Sequence, residues 1–349
     1  MLRNLKLGVL RLAQAAGVQE LVARSRWRRQ RLLILCYHGI SLDEEHLWRP
    51  NLYLDPALFR QRLEYLRGGG YSVLGLDEGL RRLREGSLPP KAVCLTFDDG
   101  FVDFLEAGYP LLATFGMPAT VYLTTWYAGR GEPVFGLMTH YLLWKARGQR
   151  LDLSPLVSGA RTVHLDTPRE CESAAAAIVS HARRDGRSHE DRQALLWFLA
   201  DRLEVDYSGL LARRVLQIMS ANEVARLSPL VATVELHTHR HRVPMDPVMF
   251  TAEVEDNRAA IRAMRPRQDN PVHFCYPSGV HAPEMLPWLR AAGVQSATTC
   301  EPGIASPADE PLLLPRLLDG HNITWQEFSG WAGGLSALLP RRRPKLTAS

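Results

Sequence analysis

Cysteine is scarce in this chain and its spacing fits no known frame. There are five in 349 residues (Cys36, Cys94, Cys171, Cys275 and Cys300), and no two form a C-x-x-C pair. An odd number without metal-type spacing argues against both a disulfide scaffold and a cysteine zinc cluster. Four of them fall in runs that read as strands, so they are expected as small buried hydrophobes in a reducing compartment. Long apolar runs are also missing, since none approaches the ~18 residues that a membrane span needs. The first 31 residues hold no uninterrupted apolar core and no cleavage site of the secretory kind. That argues against a signal peptide and for a cytoplasmic protein. No internal repeat or low-complexity tract is evident. The body shows no interleaving of basic and aromatic residues, which argues against nucleic acid as a partner.

Positive charge is present but badly distributed. The chain carries a net +5, yet residues 1–31 hold eight Lys/Arg against one Glu, a local +7. The tail adds four more cations (Arg341, Arg342, Arg343 and Lys345), so everything in between is left at −6. In the first segment Leu2, Leu5, Val9, Leu12 and Val18 recur near helical spacing with Lys and Arg between them. Such a pattern suits two things: an amphipathic helix on an anionic membrane face, peripheral to the inner membrane, or a capping helix with a solvated side.

At 46% apolar and 23% charged residues, the composition is that of a soluble globular protein large enough for a sizeable core. Short apolar, β-rich runs occur at 31–37, 92–97, 119–125, 232–237, 271–276, 294–300 and 311–317. Helix-like stretches lie around 55–67, 76–85, 103–115, 247–265, 282–292 and 324–338. Near-continuous apolar strands alternating with helices predict a parallel α/β sheet covered by helices, a barrel or a doubly wound sheet. Residues 126–230 break this rhythm and are too long for a βα loop. They read as a helical insertion, with "ESAAAAIVSHARR" and "DRQALLWFLADRL" as its helices. The expected organisation is a basic segment over 1–30, a barrel over 31–338 and a basic tail over 339–349.

On this scheme the polar residues gather at strand ends. His38 closes the first strand, Asp98 and Asp99 the second, His237 to His241 the fourth, and "YPSG" the fifth. In barrel enzymes the C-terminal rim carries the chemistry. "LTFDDGF" places two adjacent carboxylates beside apolar neighbours, which is costly without a cation or proton between them. Adjacency excludes a phosphatase-type Asp-x-Asp, although a turn with a helix cap would use the same residues. "HTHRH" offers three imidazoles. On a strand all three share a face, whereas on a helical turn only His237 and His241 do. The H-x-H pair of amidohydrolase barrels is disfavoured, because it normally follows the first strand and precedes the other ligands. "HFCYPSGV" reads as punctuation, or as a turn that aims a backbone N–H at a developing oxyanion.

Taken together, "TFDDG", "HTHRH" and "FCYPSG" resemble the polysaccharide deacetylases of the NodB homology domain, carbohydrate esterase family four. "CYHGI", "LPPKAVCLTFDDGF" and "YPLLATFGMPATVYLTT" support the likeness, which covers about 31–126 and 220–335. The resemblance implies an irregular (β/α)7 barrel of the NodB type carrying the helical insertion. It implies Asp98 as general base, with Asp99, His237 and His241 holding a divalent ion, zinc by default, whose bound water attacks an acetamide carbonyl. Tyr276, Ser278 and Thr238 fall at its substrate and oxyanion positions, and His239 and Arg240 at its variable ones.

Two departures stand out. Many members carry an arginine where this chain has Cys275, and that arginine orients the base. Its loss resembles the exopolysaccharide-associated F-x-YP subgroup and leaves the orientation of Asp98 without a source. The late Leu-x-His motif that supplies a general acid is not clear, so His38 is the preferred acid and His321 the second. The implied function is metal-dependent removal of N-acetyl groups from amino sugars of a bacterial polysaccharide or lipid-linked precursor, with the N-acetylated glycan as partner. An O-acetyl esterase or other amide hydrolase on the same site, and a non-catalytic glycan-binding module, are the alternatives.

Overall fold

The computed structural model describes residues 2–154 and 162–339; residues 340–349, and with them the basic tail, lie outside the described residues. Seven strands form its frame: β1 (Leu33–Tyr37), β2 (Ala92–Phe97), β3 (Ala119–Leu123), β4 (Ala232–Leu236), β5 (His273–Cys275), β6 (Ser296–Thr298) and β7 (Leu317–Leu318). They lie in the order β6–β5–β4–β3–β2–β1–β7, every pairing parallel. All residues of β1, β2 and β3 are buried, which is why they read as unbroken apolar runs instead of alternating ones. A parallel bridge between Thr298 and Leu314 brings the segment before β7 beside β6, so the curled sheet closes towards a barrel.

The last strand is shorter than its apolar run suggests. Residues 311–313 form a 3-10 turn opened by Pro311, and only Leu317 and Leu318 pair with β1. Proline at 311 and 315 limits ladder donors there, so the predicted strand over 311–317 shrinks to its end. Two short pieces escape the pattern altogether: Ser72–Leu74 pairs with the start of β2, and Gly39–Ile40 pairs with Tyr53–Leu54.

Helices cover the sheet. The N-terminal α1 (Leu2–Ala15) and α2 (Val18–Arg24) precede β1. Next come α3 (Pro56–Gly68), whose start is set by Asp55 accepting the Ala57 and Leu58 amides with Pro56 in the first turn, and α4 (Leu76–Glu85). The 126–230 region carries α5 (Phe135–Lys145), α6 (Pro168–Arg184) and α7 (His189–Arg202), with a capping box on each of α6 and α7. These helices pack around their own apolar core, centred on Leu142, Ile178, Leu196 and Leu199. The insertion then returns to the barrel rim, where Gln217 accepts the Val102 amide and Gly100 accepts the Met219 amide. Finally α8 (Pro247–Met264) packs beside β4, and α9 (Trp325–Gly333) packs against α1 and α2.

The cysteines follow expectation with one exception. Cys36, Cys94, Cys171 and Cys275 are buried, whereas Cys300 is exposed because β6 ends at Thr298, two residues before it.

Candidate active site

Strand register does the assembly. Tyr37 pairs with Phe97, so His38 and Asp98 leave adjacent strand ends, and the Asp98 amide donates to the Tyr37 carbonyl. Leu123 pairs with Leu236, and Leu236 with Phe274, which sets His237 beside Cys275. The backbone then breaks from extended geometry. Asp99, Thr238, His241 and Ser278 all have positive φ, between 55° and 68°. These are four of the eight non-glycine residues in that region among those described, and such strain gathers where side chains must be aimed. Gly100 permits the turn after the carboxylates. A Cβ there would lie 2.3 Å from Leu123 Cδ1.

His237 and His241 converge on one oxygen. Their Nε2 atoms lie 3.2 Å and 3.1 Å from Asp99 Oδ1. His237 Nδ1 is 2.8 Å from the Cys275 carbonyl, a contact that makes Nδ1 a donor and leaves Nε2 as the ring atom facing Asp99. Burial opposes charge on both Asp99 and His241. Even so, the His241 charge and the imidazole hydrogen bonds hold Asp99 well below the usual carboxylate range, and Asp99 raises His241. The pull that favours a proton here is the pull a cation would feel. One carboxylate and two imidazoles, with ligand atoms all within 4.8 Å of one another, fit a divalent ion with positions left open.

His239 stands apart. Its Nδ1 is 2.8 Å from Thr125 Oγ1, and its ring meets the edge of Trp126. The strand ends at Leu236, so the three histidines lie on a loop, not on one strand face. Thr238 is buried and its hydroxyl accepts the Arg242 amide, which steadies that loop. Ser278 sits exposed on the turn after β5. Tyr276 is buried with its hydroxyl donated to the Leu312 carbonyl, so its ring belongs to the core and not to the rim.

Asp98 is buried and held from behind. Arg316 Nη1 lies 2.7 Å from Oδ1 and Nη2 lies 2.7 Å from Oδ2, a two-point fork. Cys36 and Cys275 each place Sγ 3.4 Å from Oδ2, and Arg316 Nη2 is 3.0 Å from Cys275 Sγ. Burial alone would raise the Asp98 carboxyl, but the Arg316 charge and its hydrogen bonds hold it well below the ordinary range. Two further ligand groupings, Cys36–His38–Asp98 and Asp98–His237–Cys275, would need this carboxylate. Arg316 already occupies both of its oxygens, and burial pushes both thiols up. The Asp99 group is therefore the better cation site.

His38 lies on the rim with Nε2 3.9 Å from Asp98 Oδ2, and its buried Nδ1 has no hydrogen-bond partner among the described residues. Burial lowers its proton affinity more than the two aspartates raise it. His321 packs on the His46 ring, with centroids 4.9 Å apart, and donates its amide to the Tyr53 carbonyl. Of the two acid candidates, His38 is the one in reach of the carboxylates.

Sequence reasoning passed over two residues. Arg316 lay unremarked inside an apolar run; a lone arginine at such a place must find a buried acid, and that was the available signal. Asn257 on α8 is fully buried, accepts the His237 amide and donates to Leu123 O and Thr125 Oγ1. Nothing local in the sequence marks it.

The family model for polysaccharide deacetylase matches residues 85–297, more than half of the chain. This chain belongs to the polysaccharide deacetylase family. Among curated relatives, YxkH of Bacillus subtilis (strain 168), named for the same family, is 33% identical over 94 residues, 27% of this chain and 32% of that protein. The poly-beta-1,6-N-acetyl-D-glucosamine N-deacetylase of Escherichia coli (strain K12) is 28% identical over 102 residues, 29% of this chain and 15% of that protein. The aligned stretch thus spans a third or less of either relative. Two solved structures share the fold. The Streptococcus pyogenes deacetylase PplD, in complex with acetate, superposes with a TM-score of 0.55 at 20% identity, covering 89% of this chain and 99% of that one. IcaB from Ammonifex degensii gives 0.54 at 17%, covering 87% and 97%. The deacetylase family is generally metal-dependent, and the Asp99 group offers it a suitable ligand set.

Proposed function

We propose that this deacetylase removes N-acetyl groups from amino sugars of a bacterial polysaccharide or a lipid-linked glycan precursor, with a zinc-type divalent ion at Asp99, His237 and His241. The observation that carries the reading is the division of labour between the adjacent aspartates. Asp99 faces two imidazoles, while Asp98 faces an arginine and two thiols. One carboxylate is set up to hold a cation and the other to take a proton. The printed activity of the Escherichia coli relative, on an N-acetylglucosamine polymer, supports an N-acetyl substrate.

When bound, the ion would supply a Lewis acid and an acidified water. Asp98 would be the residue placed to take the proton of a water attacking the amide carbonyl. Arg316 fixes the carboxylate plane and stabilises its charge, so the free energy of aiming the base is spent in folding and not at the transition state. His38, beside Asp98 Oδ2, is placed to hand a proton to the leaving amine. The exposed turn at Ser278 is the candidate for meeting the oxyanion.

Acetate release from an N-acetylglucosamine oligomer, with and without added metal, tests this. Metal-dependent release by wild type and its loss in Asp98→Asn are expected. Equal, negligible release by both proteins across several N-acetylated oligomers would leave only a glycan-binding role for the fold.

A further inference from the structure

The N-terminal module leaves part of its apolar surface facing outwards. Polar side chains of α1 and α2 face the protein: Arg3 binds Glu327 and the Asn322 carbonyl, Gln14 binds Ser329, and Gln19 binds the Ser329 carbonyl and Tyr65. Leu10 and Ala23 are the buried apolar contacts, Leu10 lying where a Cβ on Gly330 would meet it at 2.9 Å. Leu7, Ala13 and Val22 are half-buried, but four other aliphatic residues face outwards. Leu12 and Leu21 are 74% and 72% exposed, each with a valine three residues before it on the same helix face (Val9 and Val18) that is itself exposed. A helix that only caps a soluble barrel would show the opposite arrangement.

This module, with α9 and the turn after it, holds six of the fourteen large exposed hydrophobics among the described residues: Val9, Leu12, Val18, Leu21, Trp325 and Leu338. The charge around them has one sign. Lys6, Arg11, Arg26 and Arg29 have no carboxylate partner among the described residues, and the single acid of the segment, Glu20, is engaged by Arg24 and Lys91. The sequence adds four cations after residue 339. Among the described residues no helix is long and apolar enough to cross a membrane.

We propose that the outer face of α1 and α2 docks on an anionic lipid bilayer, aliphatic side chains entering the headgroup boundary and the free cations meeting lipid phosphates. Cations without a carboxylate partner among the described residues, set around aliphatic tips, match a sheet of negative charge. The proposal does not depend on what the active site hydrolyses.

Co-sedimentation of the full chain with vesicles tests it. Vesicles of phosphatidylglycerol and phosphatidylcholine should bind the protein at low salt, vesicles of phosphatidylcholine alone should bind it poorly, and high salt should release it. Leu12→Glu with Leu21→Glu should weaken binding at least about tenfold. The melting temperature and acetate release from a soluble oligomer should be unchanged, because both side chains are largely exposed. Lys6→Glu with Arg11→Glu, which leaves the aliphatic residues in place, should also weaken it. Three results would overturn the proposal: no sedimentation with anionic vesicles, wild-type binding by the leucine pair variant, or a wild-type dimer in light scattering that the leucine pair variant abolishes, since a second copy would then cover the face.

Discussion

Arg316 and Asp98, 218 residues apart in the chain, meet in a buried fork with both arms at 2.7 Å. The fork supplies what Cys275 withholds. Where the family resemblance implies an arginine in place of Cys275, this chain brings one from the segment before β7, and Arg316 Nη2 comes to rest 3.0 Å from the Cys275 sulfur. The space beside the Asp98 carboxylate is thus filled by an arginine from the segment before β7.

Arg316→Met should cost about 3–5 kcal/mol in stability, because it strands a buried carboxylate without its counter-charge. Arg316→Lys keeps the charge and loses the planar fork, so the protein should stay folded while kcat falls about 10–100-fold with KM little changed. Adding Cys275→Arg to Arg316→Met should restore part of both, whereas Cys275→Arg alone should overpack the site. Urea unfolding and steady-state acetate release read the outcomes. Wild-type turnover in Arg316→Lys would mean that the fork is purely structural.

Metal content should separate the three histidines. His237→Ala and His241→Ala are each expected to lose the divalent ion on purification, and His239→Ala to keep it, since His239 is turned towards Thr125 and Trp126. Chelation of wild type should abolish acetate release, and zinc should restore it. Elemental analysis of the four purified proteins checks the pattern; retention by His241→Ala would remove that residue from the ligand set.

Much of the fold was legible because parallel, two-sided burial writes itself into a sequence. The runs "LLILCY" and "AVCLTF" have no polar alternation to confuse them, and the six helix-like stretches flank them. The candidate site was half legible, for a reason of spacing. Asp98 with Asp99, and His237 with His241, lie close in sequence on strand ends. The residues that aim them come from 20 to more than 200 positions away, as Asn257 does for His237 and Arg316 for Asp98. Those contacts arise from the packing of α8 beside β4 and the pairing of β7 with β1. The thiols of Cys36 and Cys275 were legible as buried but not as neighbours of a carboxylate, because burial and chemistry look alike in a single apolar run.

His38→Ala should lower kcat about 10²–10⁴-fold if that imidazole is the general acid, and His321→Ala should change it less than about threefold. The two can be told apart further by pH. An acid must hold its proton, so rate falls as pH rises through its pKa. Burial draws that pKa of His38 down, against the pull of Asp98 and Asp99. A pH profile of kcat/KM should therefore lose its alkaline limb in His38→Ala and keep it in His321→Ala. An unchanged alkaline limb in the first variant would remove His38 from the acid role.

Stability should carry its own pH signature through Glu235. This β4 carboxyl is buried and accepts the amides of Val272 and His273 at 2.9 Å and 2.8 Å, tying β4 to β5. Burial pushes its pKa up to about 7, from an ordinary 4.5, against the opposing pull of His273. Between those values the folded chain keeps a proton that the unfolded chain has released. The resulting stability is present in full below 4.5 and declines as pH rises towards 7, by up to about 3 kcal/mol. Glu235→Gln cannot ionise, yet its amide oxygen can still accept both N–H groups. Relative to wild type, the variant should therefore gain stability between pH 5 and pH 7 and hold a constant advantage above it. Urea midpoints measured across that range decide the matter: parallel curves for the two proteins would mean that Glu235 is already ionised at pH 5, its charge matched by the two amides and His273.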